Sequence, residues 1–124
     1  MGRRPQFMLF GDSLTQRSFG EEGWGAALAD RYSRKADVVL RGYGGYNTRW
    51  ALFLLDKIFP PPSHPPSVVT VFFGANDAAL LGRSNERHRV PLEEYNANLH
   101  HIVTHLKLLK WRICFKGVIG SNIS

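Results

Sequence analysis

Three short polar clusters in this sequence follow apolar runs and carry residue types that could act on a carbonyl group. The first, "GDSLTQ", places Gly11, Asp12 and Ser13 directly after the apolar run 7–10. A serine presented in this way is a weak nucleophile until a base accepts its proton. Asp12 or Ser13 could equally cap a following helix, so the first cluster alone leaves both interpretations open.

The other two clusters carry groups that can donate hydrogen bonds. "RGYGGYN" contains Gly44 and Gly45, and "GAND" contains Gly74, Asn76 and Asp77. A glycine N–H and an asparagine side-chain amide are suitable donors for an oxyanion hole, where negative charge develops on a carbonyl oxygen. The plainer alternative makes the glycines turn residues and makes Asn76 and Asp77 helix caps.

The elements that must position these clusters alternate between strand and helix. Apolar and β-branched runs predict the strands, and apolar residues at three- and four-residue spacing predict the helices. Such alternation favours an α/β domain with a parallel sheet, in which ligands bind beyond the carboxyl ends of the strands. All three clusters fall at those ends. The predicted strands are 7–10, 38–40 and 67–73, the predicted helices are 23–32, 48–59 and 92–110, and 113–119 is left undecided as a fourth strand.

Length, composition and charge limit the class of protein. The chain has 124 residues, 44% of them hydrophobic and 21% charged, which is ordinary for one globular domain. The net charge of +6 is scattered without an aromatic-interleaved basic block, so we expect no nucleic-acid partner. Cys114 has no second cysteine to pair with, and no apolar run suits a signal peptide or a membrane span. The simplest expectation is a cytoplasmic protein.

Ser13 does not fit the nucleophile elbow of α/β-hydrolases, because that motif requires glycine two residues on either side of the serine. Gly11 is present, but Thr15 occupies the second position. The blocks "FGDSLTQ", "RGYGGYNTRW" and "FFGANDAAL" instead resemble the first three signature blocks of the GDSL, or SGNH, hydrolase family. Two further stretches, "GGWGAALADRYSRKADVV" and "VPLEEYNANL", resemble its isoamyl-acetate-hydrolysing esterase branch.

The resemblance implies a flavodoxin-like three-layer α/β/α sandwich that hydrolyses small acyl esters through an acyl-enzyme. Ser13 resembles the family's nucleophile, with its own backbone N–H as one oxyanion donor, and Gly45 and Asn76 resemble the other two donors. Asp12 precedes the nucleophile in the motif but is not the family's triad acid. No metal or organic cofactor is implied.

The resemblance also implies a fourth block, Asp-x-x-His, that supplies the acid and the general base near the C-terminus of the family. No aspartate in this sequence has a histidine three residues after it. We therefore expect residues 1–110 to be the N-terminal part of a family domain, with a C-terminal truncation and a non-matching tail at 111–124. Such a chain should be a poor or inactive esterase.

The histidines that are present do not fit the role of the base. His100, His101 and His105 lie in the last predicted helix, which we expect on the outside of the sheet and away from the strand ends. A base must come within hydrogen-bond reach of the serine. His64 lies in the proline-rich connector "PPPSHPP". His88 is the least poor substitute, but the resemblance assigns it no role.

Two alternatives stay open beside the esterase prediction. The chain could be a non-catalytic truncated isoform that acts as a binding or regulatory protein. Asp12 and Asp77, on neighbouring strand ends, could instead hold Mg²⁺ in a phosphate-handling site. A sheet cut short also exposes an edge, which predicts self-association through that edge.

Overall fold

The computed structural model describes residues 4–59, 66–108 and 112–117 of the chain. Each of the predicted strands and helices is present, with its described ends within two residues of the prediction. The undecided fourth strand forms, and its first residue is Arg112. His64 lies outside the described residues. The elements are β1 (Gln6–Gly11), α1 (Ser13–Gln16), α2 (Trp24–Arg31), β2 (Asp37–Gly42), α3 (Thr48–Ile58), β3 (Val68–Phe73), α4 (Leu92–Leu108) and β4 (Arg112–Gly117), with single 3₁₀ turns at Arg17–Phe19 and Glu86–His88.

The four strands form one parallel sheet in the order β2-β1-β3-β4. In its register Gly11 stands opposite Gly42 on one side and Phe72 on the other, so the carboxyl ends of β1, β2 and β3 meet at one edge. The polar clusters follow these ends directly. The prediction of a parallel α/β fold is confirmed.

One face of the sheet carries the larger part of the core. Alternate residues of a strand point to opposite faces, and the set that includes Met8, Phe10 and Val71 is buried under α3 and α4. Phe10 meets Phe73 edge to face, with 4.8 Å between the ring centroids. Leu99, at 0% exposure, brings α4 into the same core.

The opposite face is covered less completely. Phe7 points to that face and contacts Tyr32 at the end of α2, with ring centroids 4.9 Å apart. Leu9 is fully buried there. On β3, by contrast, Val68 and Phe72 remain partly exposed. Helix α2 therefore lies over the β1–β2 half of this face, while the β3 half is more open.

The short helix α1 lies against the end of β2, because Gly42 carries no side chain. A Cβ atom at Gly42 would clash with the backbone nitrogen of Gln16. This close approach sets the start of α1, and Ser13 with it, against the loop that follows β2. Within the described parts of the chain, no helix is both long and apolar enough to cross a bilayer.

Candidate active site

Ser13 is the first residue of α1, and Asp12 caps that helix. The Leu14 N–H donates to the Asp12 carboxylate across 3.0 Å, and Asp12 is fully buried. The helix-capping interpretation is thus confirmed for Asp12. The same arrangement leaves the partly exposed Ser13 side chain free of a capping role, so a cap and a nucleophile can be neighbours in this cluster.

Gly44 and Gly45 are the central residues of a tight turn. The Tyr46 N–H donates to the Tyr43 carbonyl across 3.1 Å, and Gly45 has φ of +80°. That φ suits the third position of a type II turn, where glycine is favoured. The turn interpretation is confirmed, and it does not compete with an oxyanion role, because a turn glycine can present its N–H to a ligand.

The Asn76 and Asp77 side chains both reach across to the loop that precedes α3. The Asn76 amide donates to the Tyr46 carbonyl across 2.8 Å. The Asp77 carboxylate accepts from the Thr48 N–H at 3.1 and 3.0 Å and from the Thr48 hydroxyl at 2.5 Å. Asp77 is therefore a capping residue, but it caps the start of α3 from the end of another strand.

The three clusters meet at the same edge of the sheet. A Cβ atom placed on Gly44 would lie 3.9 Å from the Ser13 Cβ, and the Gly44 N–H donates to the Gln16 side chain across 2.5 Å. The Asn76 amide in turn touches the same turn through Tyr46. The predicted site residues Ser13, Gly45 and Asn76 thus line one rim.

Two buried carboxyl groups lie beneath this rim. Burial raises the pKa of Asp12, while the hydrogen bond from Leu14 opposes the shift. Burial also raises the pKa of Asp77, the hydrogen bonds from Thr48 oppose the shift, and the nearby Asp12 carboxyl raises it further. The Asp12 Oδ2 atom is buried without a hydrogen-bond partner among the described residues.

His88 is the histidine that approaches the rim. Its Cε1 atom lies 3.9 Å from the position a Cβ on Gly45 would take, and its ring packs edge to face on Trp50 with centroids 5.4 Å apart. The Arg87 Nε atom lies 3.4 Å from His88 Nε2. Within the described parts of the chain, no hydrogen bond joins the Ser13 hydroxyl to His88 or to any other side chain.

The histidines of α4 lie elsewhere, as the sequence predicts. His100 and His101 are exposed, and His105 lies 3.7 Å from Asp56 of α3. Together they line a shallow surface depression on the outer side of α4. Among the residues that the structure describes, His, Cys, Asp and Glu side chains do not form a group of three or more arranged to hold a metal ion.

Sequence reasoning missed a set of buried polar residues behind the rim. Asn47 caps α3 by accepting from the Trp50 N–H across 2.9 Å, and its amide donates to the His88 carbonyl across 2.8 Å. The Asn98 amide donates to the Thr48 hydroxyl across 3.0 Å. Two signals were available: an asparagine directly before the periodic helix, and a polar residue at position 98 beside the apolar stripe of α4.

Comparison with known proteins agrees with this architecture. Residues 9–122 match the model of the GDSL-like lipase/acylhydrolase family. A GDSL esterase/lipase of Arabidopsis thaliana is 67% identical over 105 residues, which cover 84% of this chain and 43% of that protein. The human isoamyl acetate-hydrolyzing esterase 1 homolog is 52% identical over 105 residues, which cover 83% of this chain and 42% of that protein.

Solved structures give the same result for the fold. The SGNH-hydrolase family esterase AlinE4 superimposes with a TM-score of 0.73 at 25% identity, over 93% of this chain and 59% of that one. The acetyl xylan esterase AlAXEase, at 19% identity, shares the fold with a TM-score of 0.72 over 89% of this chain and 56% of that one. The chain spans less than half the length of the two curated relatives. On the family match and these relatives, the chain belongs to the GDSL-like lipase/acylhydrolase family.

Proposed function

We propose that Ser13, Gly45 and Asn76 form the reaction site of a serine ester hydrolase. The observation that carries the proposal is the meeting of three distant clusters at one sheet edge, with the Gly44 backbone beside the Ser13 side chain. Membership of a family of lipases and acylhydrolases supports the same class of reaction.

In this proposal the Ser13 hydroxyl attacks the carbonyl carbon of an ester and passes its proton to a general base. The bond to the alcohol oxygen breaks as that oxygen receives the proton, which leaves the acyl group on Ser13 until water releases it as an acid. The N–H groups of Ser13 and Gly45 stabilise the negative carbonyl oxygen of each tetrahedral intermediate. Asn76 donates one of its two amide hydrogens to the Tyr46 carbonyl, and the second is available to the negative oxygen of the intermediate.

In this proposal, the general base is the one component of the reaction that the 124 residues do not supply. The sequence has no Asp-x-x-His block, and His88 makes its contacts with Trp50 and Arg87 and not with Ser13. Without a base, an oxyanion hole and substrate binding retain an acceleration of about 10³–10⁴ over water. We therefore propose that the 124-residue chain by itself turns esters over slowly.

The proposed substrate is a small acyl ester. One relative is named for isoamyl acetate, an ester with a two-carbon acyl group. Leu14, which is 48% exposed, directly follows Ser13, and the indole of Trp24, which is 38% exposed, donates a 3.2 Å hydrogen bond to the Leu14 backbone carbonyl. They offer an apolar surface to the alkyl part of such an ester.

The test compares p-nitrophenyl acetate turnover by the 124-residue chain with that of a chimera. The chimera continues after residue 110 with the C-terminal part of the Arabidopsis relative, which the family resemblance expects to carry the Asp-x-x-His block. We expect kcat to rise by about 10³ or more in the chimera. Ser13→Ala should lower the turnover of the chimera by about the same 10³ or more, and should change the slow turnover of the 124-residue chain little, because that turnover comes from the oxyanion hole and substrate binding.

Each part of the proposal has its own contrary result. A chimera that keeps its turnover after Ser13→Ala would show that Ser13 is not the nucleophile. A 124-residue chain as fast as the chimera would show that its own residues include a base. Absence of Ser13-dependent turnover from both proteins would favour the binding or regulatory alternative.

The magnesium alternative gains little from the arrangement of the carboxylates. Both oxygens of Asp77 accept hydrogen bonds from Thr48, so they are already occupied. A Mg²⁺ ion there would have to displace those bonds or share the oxygens in octahedral geometry. Magnesium-dependent binding of a phosphate compound that Asp77→Asn abolishes would revive this alternative.

A further inference from the structure

The buried polar side chains of the described residues gather in two groups behind the rim. One group surrounds Asp12 under α1. The other joins three elements around Thr48, which is fully buried at the start of α3. Asp77 at the end of β3 is 1% exposed, and Asn98 on α4 is 7% exposed. Such a network is costly unless every member is hydrogen-bonded, so its position next to a candidate reaction site calls for a physical reason.

Hydrogen-bond directions in the second group are fixed. The Asn98 amide donates to the Thr48 hydroxyl oxygen across 3.0 Å. That hydroxyl therefore directs its own proton to Asp77, 2.5 Å away, which also accepts from the Thr48 N–H. The pKa of Asp77 is raised by burial, and the Thr48 bonds oppose that shift by favouring the charged carboxylate. The hydroxyl thus links α4 to the loop after β3, beside the direct hydrogen bond of 2.8 Å from the Tyr95 hydroxyl of α4 to the Phe73 carbonyl.

The members of this group are chain neighbours of two proposed oxyanion donors. Asn76 directly precedes Asp77, and Gly45 lies three residues before Thr48. We therefore expect a change in the distance between Thr48 and Asp77 to alter the distance between the two donors. The direct bond from the Asn76 amide to the Tyr46 carbonyl would shift with it.

We infer that Thr48 is a positioning residue of the oxyanion hole. Its hydroxyl, hydrogen-bonded to Asp77 and Asn98, holds Gly45 and Asn76 at the separation that the reaction requires. The inference rests on the proposed function, since it assigns a role to the support of that same site. Thr48 does not touch the substrate in this arrangement. Its effect on the reaction passes through the two donors.

The test uses a pair of substitutions that separate the hydroxyl from the methyl group. Thr48→Val keeps the shape and removes the hydroxyl, and Thr48→Ser keeps the hydroxyl and removes the methyl group. Thr48→Val removes two buried hydrogen bonds, those to Asp77 and from Asn98, and Thr48→Ser removes the contacts of a buried methyl group, so both lower the free energy of unfolding. A packing role predicts that Ser is the worse replacement, and a positioning role predicts that Val is.

In the chimera that carries the Asp-x-x-His block, we expect Thr48→Val to lower kcat for p-nitrophenyl acetate about 10- to 100-fold with little change in KM, since a small misplacement of catalytic groups has effects of this size. Thr48→Ser should stay within about threefold of the parent, because the donors remain in place. Asn96→Ala, on the same helix as Asn98, is the matched control: the Asn96 Oδ1 atom has no hydrogen-bond partner in the described residues.

Equal kcat values in the Val and Ser variants, or a lower value in Ser, would overturn the inference while leaving Ser13 as the nucleophile. Turnover of the chimera that persists in Ser13→Ala would overturn the proposed function instead. The inference is then decided by amide hydrogen exchange at Tyr46, whose N–H closes the glycine turn. Exchange that is faster in Thr48→Val than in Thr48→Ser supports it, and equal exchange rejects it.

Discussion

At the scale of single residues, Gly45 joins a backbone requirement to a proposed chemical role. Its φ of +80° lies in the region where a side chain costs about 1–2 kcal/mol. A Cβ atom there would meet only His88 Cε1 at 3.9 Å, which is ordinary van der Waals contact. We therefore expect Gly45→Ala to lower the free energy of unfolding by about 1–2 kcal/mol in urea denaturation, through strain alone.

Gly82 provides a matched control for that substitution. Its φ is +82°, and no atom lies within 4 Å of the position of an added Cβ. Gly82→Ala should therefore cost a similar free energy of unfolding, again about 1–2 kcal/mol. Only Gly45→Ala should reduce Ser13-dependent ester turnover, because the strain shifts the backbone N–H at that position, and of the two glycines only Gly45 is a proposed oxyanion donor. Equal turnover in the two variants would contradict that role.

Because of Asp12, we expect the free energy of unfolding to fall as the pH rises, which is the reverse of the usual effect of a carboxyl group. Burial raises the pKa of its carboxyl above the ordinary value of 3.8, so the folded protein holds a proton at Asp12 more tightly than the unfolded chain does. The resulting contribution to stability is complete below the unfolded pKa and is lost as pH rises through the higher folded pKa. Asp12→Asn keeps an acceptor for the Leu14 N–H but does not titrate.

We expect the free energy of unfolding to depend on pH with different slopes in the parent protein and in Asp12→Asn. Between about pH 4 and about pH 7, the free energy of unfolding of Asp12→Asn should rise relative to that of the parent. Urea denaturation across this range measures the difference. Asp30→Asn, which removes an exposed negative charge on α2, controls for the change in net charge. Parallel curves for the parent and Asp12→Asn would contradict the prediction.

At the scale of elements, helix α4 packs on the sheet and carries Asn98, which donates a hydrogen bond to the Thr48 hydroxyl. Leu99 is fully buried against the sheet, while Leu92 on the first turn of the same helix is 47% exposed. Leu99→Ala should lower the free energy of unfolding by about 2–5 kcal/mol, because it removes buried apolar contacts and leaves a cavity. Leu92→Ala should change it by less than about 0.5 kcal/mol. Urea unfolding of both variants tests this, and a similar loss in each would argue against a docked α4.

The elements also show where sequence reasoning works in this chain and where it stops. Strand β3 was predictable from its continuous run of β-branched and aromatic residues, and helix α4 from the three- and four-residue spacing that its buried face imposes on the sequence. Helix α1 has four residues, which is little more than one turn, so it leaves no period to detect. Asp77 was predictable as a capping residue, but its partner Thr48 lies 29 positions away. Tertiary contacts of this kind leave no local signal.

The same limit applies to the candidate site. The common position of Ser13, Gly45 and Asn76 at one sheet edge could be predicted because each follows a strand end, and their roles in the reaction stay predictions. The hydrogen bond from Asn98 to Thr48 could not be predicted, since a polar residue beside the apolar stripe of α4 has many explanations before the fold is known. The positions of the proposed chemical groups could therefore be predicted from sequence, while the partners of the residues that support them became known only from the structure.

At the scale of the whole molecule, the sheet is covered unevenly. Helices α3 and α4 bury one face, whereas Val68 and Phe72 remain partly exposed on the β3 half of the other. In the described residues β4 pairs with β3 on one side only. Edge strands and open apolar surface both favour pairing with another chain. We therefore propose that the 124-residue chain associates with itself through this region.

Sedimentation velocity over a wide range of protein concentration tests that proposal. The average mass of the 124-residue chain should rise with concentration, and Val68→Lys should suppress the rise because a charge on the open face opposes pairing. Phe53→Lys is the matched control: Phe53 is 73% exposed, but it lies on α3, on the opposite side of the sheet. Equal suppression by both substitutions would indicate a general effect of added charge. A mass that stays monomeric at every concentration would contradict self-association, and it would mean that the uneven sheet is tolerated as an exposed surface.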